Sequence, residues 1–136
     1  MRIETERLVI RSFARSDLPT YAAIVADPRV TKYLADGSPH SLAEAEAYLL
    51  DCIARDDATG IARYAHGAWG RGYATEAALR VLEYGIHDLG LSNIAAGAYT
   101  DNIASVKIIR RLGFKRFAAG QFHGKATVRY FQKDIN

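Results

Sequence analysis

The stretch AWGRGYATEAALRVLEYGI, residues 68–86, sets two glycines beside a tryptophan immediately ahead of a run with helical periodicity. A polar N-cap would start such a helix without the extra chain entropy that glycine loses on folding. A helix N-terminus, however, presents unpaired N–H groups and a partial positive charge, and so attracts anions. Glycines just ahead of it let the backbone approach a phosphate with no Cβ in the way. Gly70-Arg71-Gly72-Tyr73-Ala74, running into Thr75-Glu76-Ala77, has that construction, and Arg71 adds a cation. It is not a Walker loop, because no Gly-Lys-Ser/Thr follows, and its glycine spacing is not that of the dinucleotide fingerprint. Read from its residues alone, the run is either a phosphate cradle or a tight corner.

Working outward, Leu79, Leu82, Ile86 and Leu89 share one face of the helix predicted over 74–89, which Gly90 ends. Residues 93–99 (NIAAGAY) read as a buried strand of small residues. Asn102 starts another helix, with Val106, Ile109 and Leu112 inward and Gly113 as its stop. Asn102 and Ser105 stand three apart at that start, the spacing of an N-cap and a first-turn serine. Two strands follow, near 114–119 and 126–133, joined across His123-Gly124-Lys125. Upstream, residues 7–13 (RLVIRSF) read as a first strand, and Ser16 caps a short helix to about Ala26 with Leu18, Tyr21 and Ile24 on one face. Asp27-Pro28 stops that helix. Ser41-Leu-Ala-Glu44 is a capping box opening a helix that carries Leu42, Ala45, Leu49 and Cys52 at helical spacing and fades by Asp56-Asp57. Residues 60–65 (GIARYA) fit one more strand. This order predicts an α/β (α+β) sandwich with helices on both faces.

At 136 residues the chain has the length of one domain, 1–136, with a single core. A net charge of +3 and a pI near 9.1 favour an anionic ligand but fall short of a nucleic-acid-binding signature. One cysteine, Cys52, excludes an internal disulfide and suits a reducing compartment. The first residues, MRIETERLVIRSF, lack the apolar core of a signal peptide, and no apolar stretch approaches the ~20 residues of a membrane span. The expectation is a cytoplasmic domain with neither nucleic-acid nor membrane partners. Scattered histidines without ligand spacing predict no metal site.

Taken together, WGRGYATEA and the later DNIASVKIIRRLGF resemble the GCN5-related N-acetyltransferase (GNAT) superfamily. The opening ETERLVIRSFARSDL, with ADPRVTKYL and SLAEAEAYL, is similar to its ribosomal-protein-alanine acetyltransferase branch, of RimJ/RimL type. The resemblance implies a mixed sheet flanked by helices, with acetyl-coenzyme A as co-substrate and a primary amine, of a protein N-terminus or a small molecule, as acceptor. It gives diphosphate binding to Trp69, Gly70, Arg71, Gly72, Tyr73 and Ala74, the pantetheine arm to Asn102, and the vicinity of the thioester sulfur to Ser105. Many relatives carry a tyrosine acid where this chain has Ile109, which leaves Ser105 as the side chain to protonate the departing thiolate. Residues 28–34 and their neighbours would form the acceptor wall.

One departure stands out. The family runs through a meander of three antiparallel strands before its glycine loop, and here only GIARYAHG separates Asp56-Asp57-Ala58-Thr59 from Ala68-Trp69. At ~5–6 residues per strand plus turns, one strand fits there and three do not, so the fold is expected to be shortened by about two strands. Removing two successive antiparallel strands preserves chain direction, so 60–65 could take the last meander position and pair with 7–13. The rival is a partial domain whose exposed sheet edge invites a homodimer by strand pairing, and with it a non-catalytic, GNAT-like binding module. His66 and Glu76 are the general-base candidates by position; a helix-dipole role suits Glu76 better.

Overall fold

In the computed structural model, which describes residues 2–55 and 68–132, the chain opens with a hairpin rather than the single strand expected over 7–13. Strands β1 (Arg2–Glu4) and β2 (Val9–Arg11) pair antiparallel, with Ile3 opposite Ile10. Thr5 makes the turn. Its hydroxyl oxygen accepts from the amides of Leu8 at 2.9 Å and Arg7 at 3.3 Å, while its own amide donates to the Leu8 carbonyl at 2.9 Å. A side chain that bonds the backbone two and three residues on interrupts a strand at that point.

The chain divides into two compact units, Met1–Tyr73 and Ala74–Asn136. In the first, a 3₁₀ turn (Arg15–Asp17) leads into α1 (Leu18–Val25). Asp17, not Ser16, organises this start: its carboxylate accepts from the Ala14 amide at 2.8 Å and takes both ends of the Arg11 guanidinium at 2.7 Å. Asp27 does not simply stop the chain; its Oδ1 accepts from the Arg29 amide at 2.9 Å and caps a second short helix, α2 (Pro28–Thr31). The capping box is present. Ser41 Oγ accepts from the Glu44 amide at 3.2 Å and Glu44 Oε1 from the Ser41 amide at 3.3 Å, starting α3 (Leu42–Ala54). Tyr21 and Val25 of α1 pack on Ala45 and Leu49 of α3, with Phe13 edge-on to Tyr21 at 5.2 Å. Cys52 is buried on the same helix, but Leu42 is 64% exposed, because it sits in the first turn beyond the reach of α1. The expected strand at 60–65, its pairing with 7–13 and His66 lie outside the described residues.

The Arg11–Asp17 pair has a measurable consequence. Hydrogen bonds from Arg11, and then from the Ala14 amide, hold the Asp17 carboxyl down at about 2. A carboxyl with pKa depressed below its unfolded value of ~3.9 stabilises the fold above that pH and loses the contribution as pH falls towards 2. Allowing for screening at a partly exposed pair, the amount is on the order of 1 kcal/mol. Denaturant unfolding of wild type and Asp17→Asn should differ by that amount at pH 6 and converge between pH 4 and 2. A difference independent of pH would contradict it.

In the second unit, α4 (Tyr73–Glu83) runs into a π-helical turn (Tyr84–Asp88) in place of one regular helix over 74–89. Within it the Leu89 amide donates to the Tyr84 carbonyl, five residues back, at 3.1 Å. Ala77 and Gly85 are both buried. The turn holds one residue more than an α-helical turn between Tyr84 and Leu89, so side chains beyond it are rotated by ~100° from their places on a regular helix. The predicted face is not the buried one: Leu79 stands ~200° round the helix from the buried Ala77 and is exposed, Leu89 beyond the turn is exposed too, and Leu82 alone of the four packs on the core of Ile109, Phe114 and Val128. Gly90 ends the element at φ +66°.

Strand β3 (Ile94–Tyr99) alternates rather than being buried throughout: Ile94, Ala96 and Ala98 pack on that core while Ala95 and Gly97 face solvent. Then come α5 (Ile103–Arg111), stopped at Gly113 with φ +92°, and β4 (Lys115–Phe122) and β5 (Lys125–Gln132). His123 and Gly124, both at positive φ, form the two-residue hairpin turn that suits right-twisted strands. The sheet order is β3-β5-β4, with both ladders antiparallel. Among the described residues no helix is long and apolar enough to cross a membrane.

Candidate functional site

Gly70 and Gly72 adopt φ +76° and +78°, the left-handed region that other L-residues rarely enter. The chain therefore reaches α4 through two backbone positions only glycine takes without strain. A Cβ on Gly70 would meet nothing within 4 Å; one on Gly72 would lie 3.4 Å from Arg7 Nη2. Gly70, Arg71, Gly72 and Ala74 are exposed, and Trp69 is 47% exposed. The first amides of α4 lie beyond the helix's own bonding ladder by geometry, at the positive end of its dipole.

Arg7, absent from the motif reading, reaches this loop. Its Nη1 donates to the Arg71 carbonyl at 2.8 Å, and its guanidinium lies over the Tyr73 ring at 4.8 Å from the centroid. No local pattern could have linked residue 7 to residues 71–73, because the contact is made by the fold across 64 positions.

In the second unit, Asn102 and Ser105 are brought together at the start of α5. Asn102 Oδ1 accepts from the Ser105 amide at 3.3 Å, so the side chain caps the helix through its carbonyl end. Its Nδ2 and the half-buried Ser105 hydroxyl donate to nothing among the described residues. Ile109, one turn on, is buried in the core. The pair belongs to the second unit, whereas Trp69 to Tyr73 belong to the first and Ala74 opens the second. Lys107, Arg110 and Arg111 are exposed on α5. Among the described residues no group of three or more His, Cys, Asp or Glu is placed to hold a metal ion.

A profile of the Acetyltransferase (GNAT) domain family matches residues 7–67 and 59–115. The chain is similar to the uncharacterized N-acetyltransferase YnaD of Bacillus subtilis (strain 168), 28% identical over 144 residues that cover 85% of this chain and 84% of that protein. Its fold is similar to that of a GNAT-family acetyltransferase from Bacillus anthracis, with a TM-score of 0.85, 20% identity and 98% of both chains covered. It is also similar to RimL, the ribosomal L7/L12 alpha-N-protein acetyltransferase, in complex with coenzyme A, with a TM-score of 0.81, 13% identity and 98% of both chains covered.

The alignments also measure the shortening. As 85% of 136 residues is about 116, the 144-residue alignment with YnaD contains about 28 positions that this chain lacks. The family profile breaks and resumes over 59–67, where the meander would stand. Some 28 residues hold two strands of ordinary length with their turns. Matched by the profile over most of its length, and lacking about two strands of the usual fold, the chain belongs to the GNAT family of acetyltransferases.

Proposed function

We propose that residues 1–136 act as one cytoplasmic N-acetyltransferase domain that moves the acetyl group of acetyl-coenzyme A to a primary amine. One observation carries the reading: two exposed left-handed glycines, Gly70 and Gly72, stand directly before the 11-residue helix α4. Their backbone fits a diphosphate, since side chains are absent where an anion would approach the first-turn amides. Trp69, Gly70, Arg71, Gly72, Tyr73 and Ala74 are assigned to that grip, and the Nδ2 of Asn102 to the pantetheine arm.

The reaction needs little from side chains. The amine nitrogen attacks the thioester carbon, the C–N bond forms, the C–S bond breaks, and the amine gives up a proton to water. Ser105 hands its proton to the departing sulfur and regains one from the water that took the amine's, and its hydroxyl has no competing acceptor among the described residues. An α-amine, with a reference pKa of ~7.7–8.0, is partly neutral near physiological pH, so water suffices as its base. Rate enhancement comes chiefly from positioning. The name of RimL, an alpha-N-protein acetyltransferase, supports an α-amine as acceptor here. Residues 28–34 are assigned to its wall, held by the buried Thr31, whose Oγ1 donates to the Gly37 carbonyl at 3.3 Å.

Thermal unfolding with acetyl-coenzyme A tests the reading. At ~100 times Kd a ligand specific for the folded state adds about 2.7 kcal/mol, several degrees of Tm for a chain of this size. No shift at millimolar acetyl-coenzyme A would favour a second reading, a non-catalytic domain that self-associates at a sheet edge. The roughly 28 missing positions are the observation on its side.

A further inference from the structure

We propose that Arg7 is a positioning residue for the diphosphate loop, holding the Arg71–Gly72 peptide in one orientation. The inference rests on the acetyl-coenzyme A reading above and adds a residue that lies outside the loop motif. A trans peptide is planar, and its C=O and N–H point in opposite directions. Because Arg7 Nη1 holds the Arg71 carbonyl at 2.8 Å, the Gly72 N–H is turned away from Arg7. That amide is one of those the anion needs.

Left to itself this peptide has little reason to stay put. Gly72 follows it, and glycine tolerates positive and negative φ about equally, so both orientations of the plane are accessible. The opposite orientation would present the Arg71 carbonyl, a negative dipole, in place of the N–H. A charged donor removes the degeneracy, since hydrogen bonds to charged groups are among the strong ones. Arg7 is itself restrained: it leaves the turn built by Thr5, and its guanidinium plane covers the Tyr73 ring at 4.8 Å. It also runs beside the next residue of the loop, the position of the missing Cβ of Gly72 being 3.4 Å from Nη2.

The test is calorimetric titration of wild type, Arg7→Ala and Arg7→Lys with acetyl-coenzyme A and with S-acetylpantetheine, which ends before the diphosphate. Arg7→Ala should weaken acetyl-coenzyme A about tenfold, the scale of one charge-assisted hydrogen bond. Arg7→Lys, which keeps a charged donor but not the planar guanidinium, should recover part of that loss. Affinity for S-acetylpantetheine should not change in either variant, whereas damage to the fold would weaken both ligands together. If Arg7→Ala does not fold, Arg7→Lys carries the test through a severalfold loss confined to acetyl-coenzyme A. Parallel weakening of both ligands, or acetyl-coenzyme A affinity within twofold of wild type in a folded variant, overturns the proposal. Should wild type itself fail to bind acetyl-coenzyme A, the functional reading falls and this inference with it; normal wild-type binding with an unaffected variant removes this inference alone.

Discussion

Gly72→Glu abolishes binding of acetyl-coenzyme A: the expected loss exceeds ~100-fold, from three effects that act together. A side chain at φ +78° carries a strain of roughly 1–2 kcal/mol. Its Cβ comes into contact with Arg7 Nη2 at 3.4 Å, and the longer side chain beyond it competes for the space of the guanidinium that holds the Arg71 carbonyl. Its carboxylate then sets a negative charge where the diphosphate is assigned, with the α4 dipole attracting that carboxylate instead of the ligand. Two companion variants separate the terms. Gly72→Ala keeps the strain and the contact without the charge, and Gly70→Ala, with nothing within 4 Å of the new carbon, keeps backbone strain alone. The order of loss should be Gly72→Glu, then Gly72→Ala, then Gly70→Ala, read by titration calorimetry. Wild-type affinity in Gly72→Glu would show that the diphosphate binds elsewhere.

Ser105→Ala is expected to lower kcat by ~10²-fold with KM for acetyl-coenzyme A unchanged, the range of a single general acid. The variant is clean because the cap of α5 survives it: the bond to Asn102 Oδ1 comes from the Ser105 main-chain amide, not from the hydroxyl. Ser105→Thr retains the hydroxyl and should retain most of the rate. An acetyl thioester of a more acidic thiol needs less protonation as it leaves, so the deficit of Ser105→Ala should shrink with such a donor. A kcat within threefold of wild type would pass the proton to solvent and leave Ser105 with no part in the chemistry.

What could be read from the residues followed short-range backbone chemistry. The Ser41–Glu44 box, the Asn102 cap, the stops at Gly90 and Gly113 and the His123-Gly124 turn each rest on bonds within a few residues, and each is present. The left-handed glycines at 70 and 72 were legible on the same ground. Misreadings arose where a competing local bond or a change of period intervened. Thr5 turned an apparent strand into a hairpin, and Asp17 replaced Ser16 because it could satisfy the Ala14 amide and Arg11 at once. Leu79 was placed inward although the helix buries the opposite face at Ala77, and Leu89 by a period of 3.6 that the chain abandons at Tyr84. Arg7 was out of reach of any such reading, since its contacts with Arg71 and Tyr73 come only from tertiary structure.

The π-helical turn at Tyr84–Asp88 also bears on how this chain can vary in length. It holds one residue more than an α-helical turn between Tyr84 and Leu89, with Gly85 buried inside it. A homologue with one residue fewer within that turn would continue as an unbroken α-helix up to its C-terminal stop. A one-residue deletion here is therefore absorbed by the turn, whereas a side chain longer than alanine at position 85 meets Ile94 and Leu91, whose Cδ1 atoms stand 3.5 Å from where its Cβ would lie.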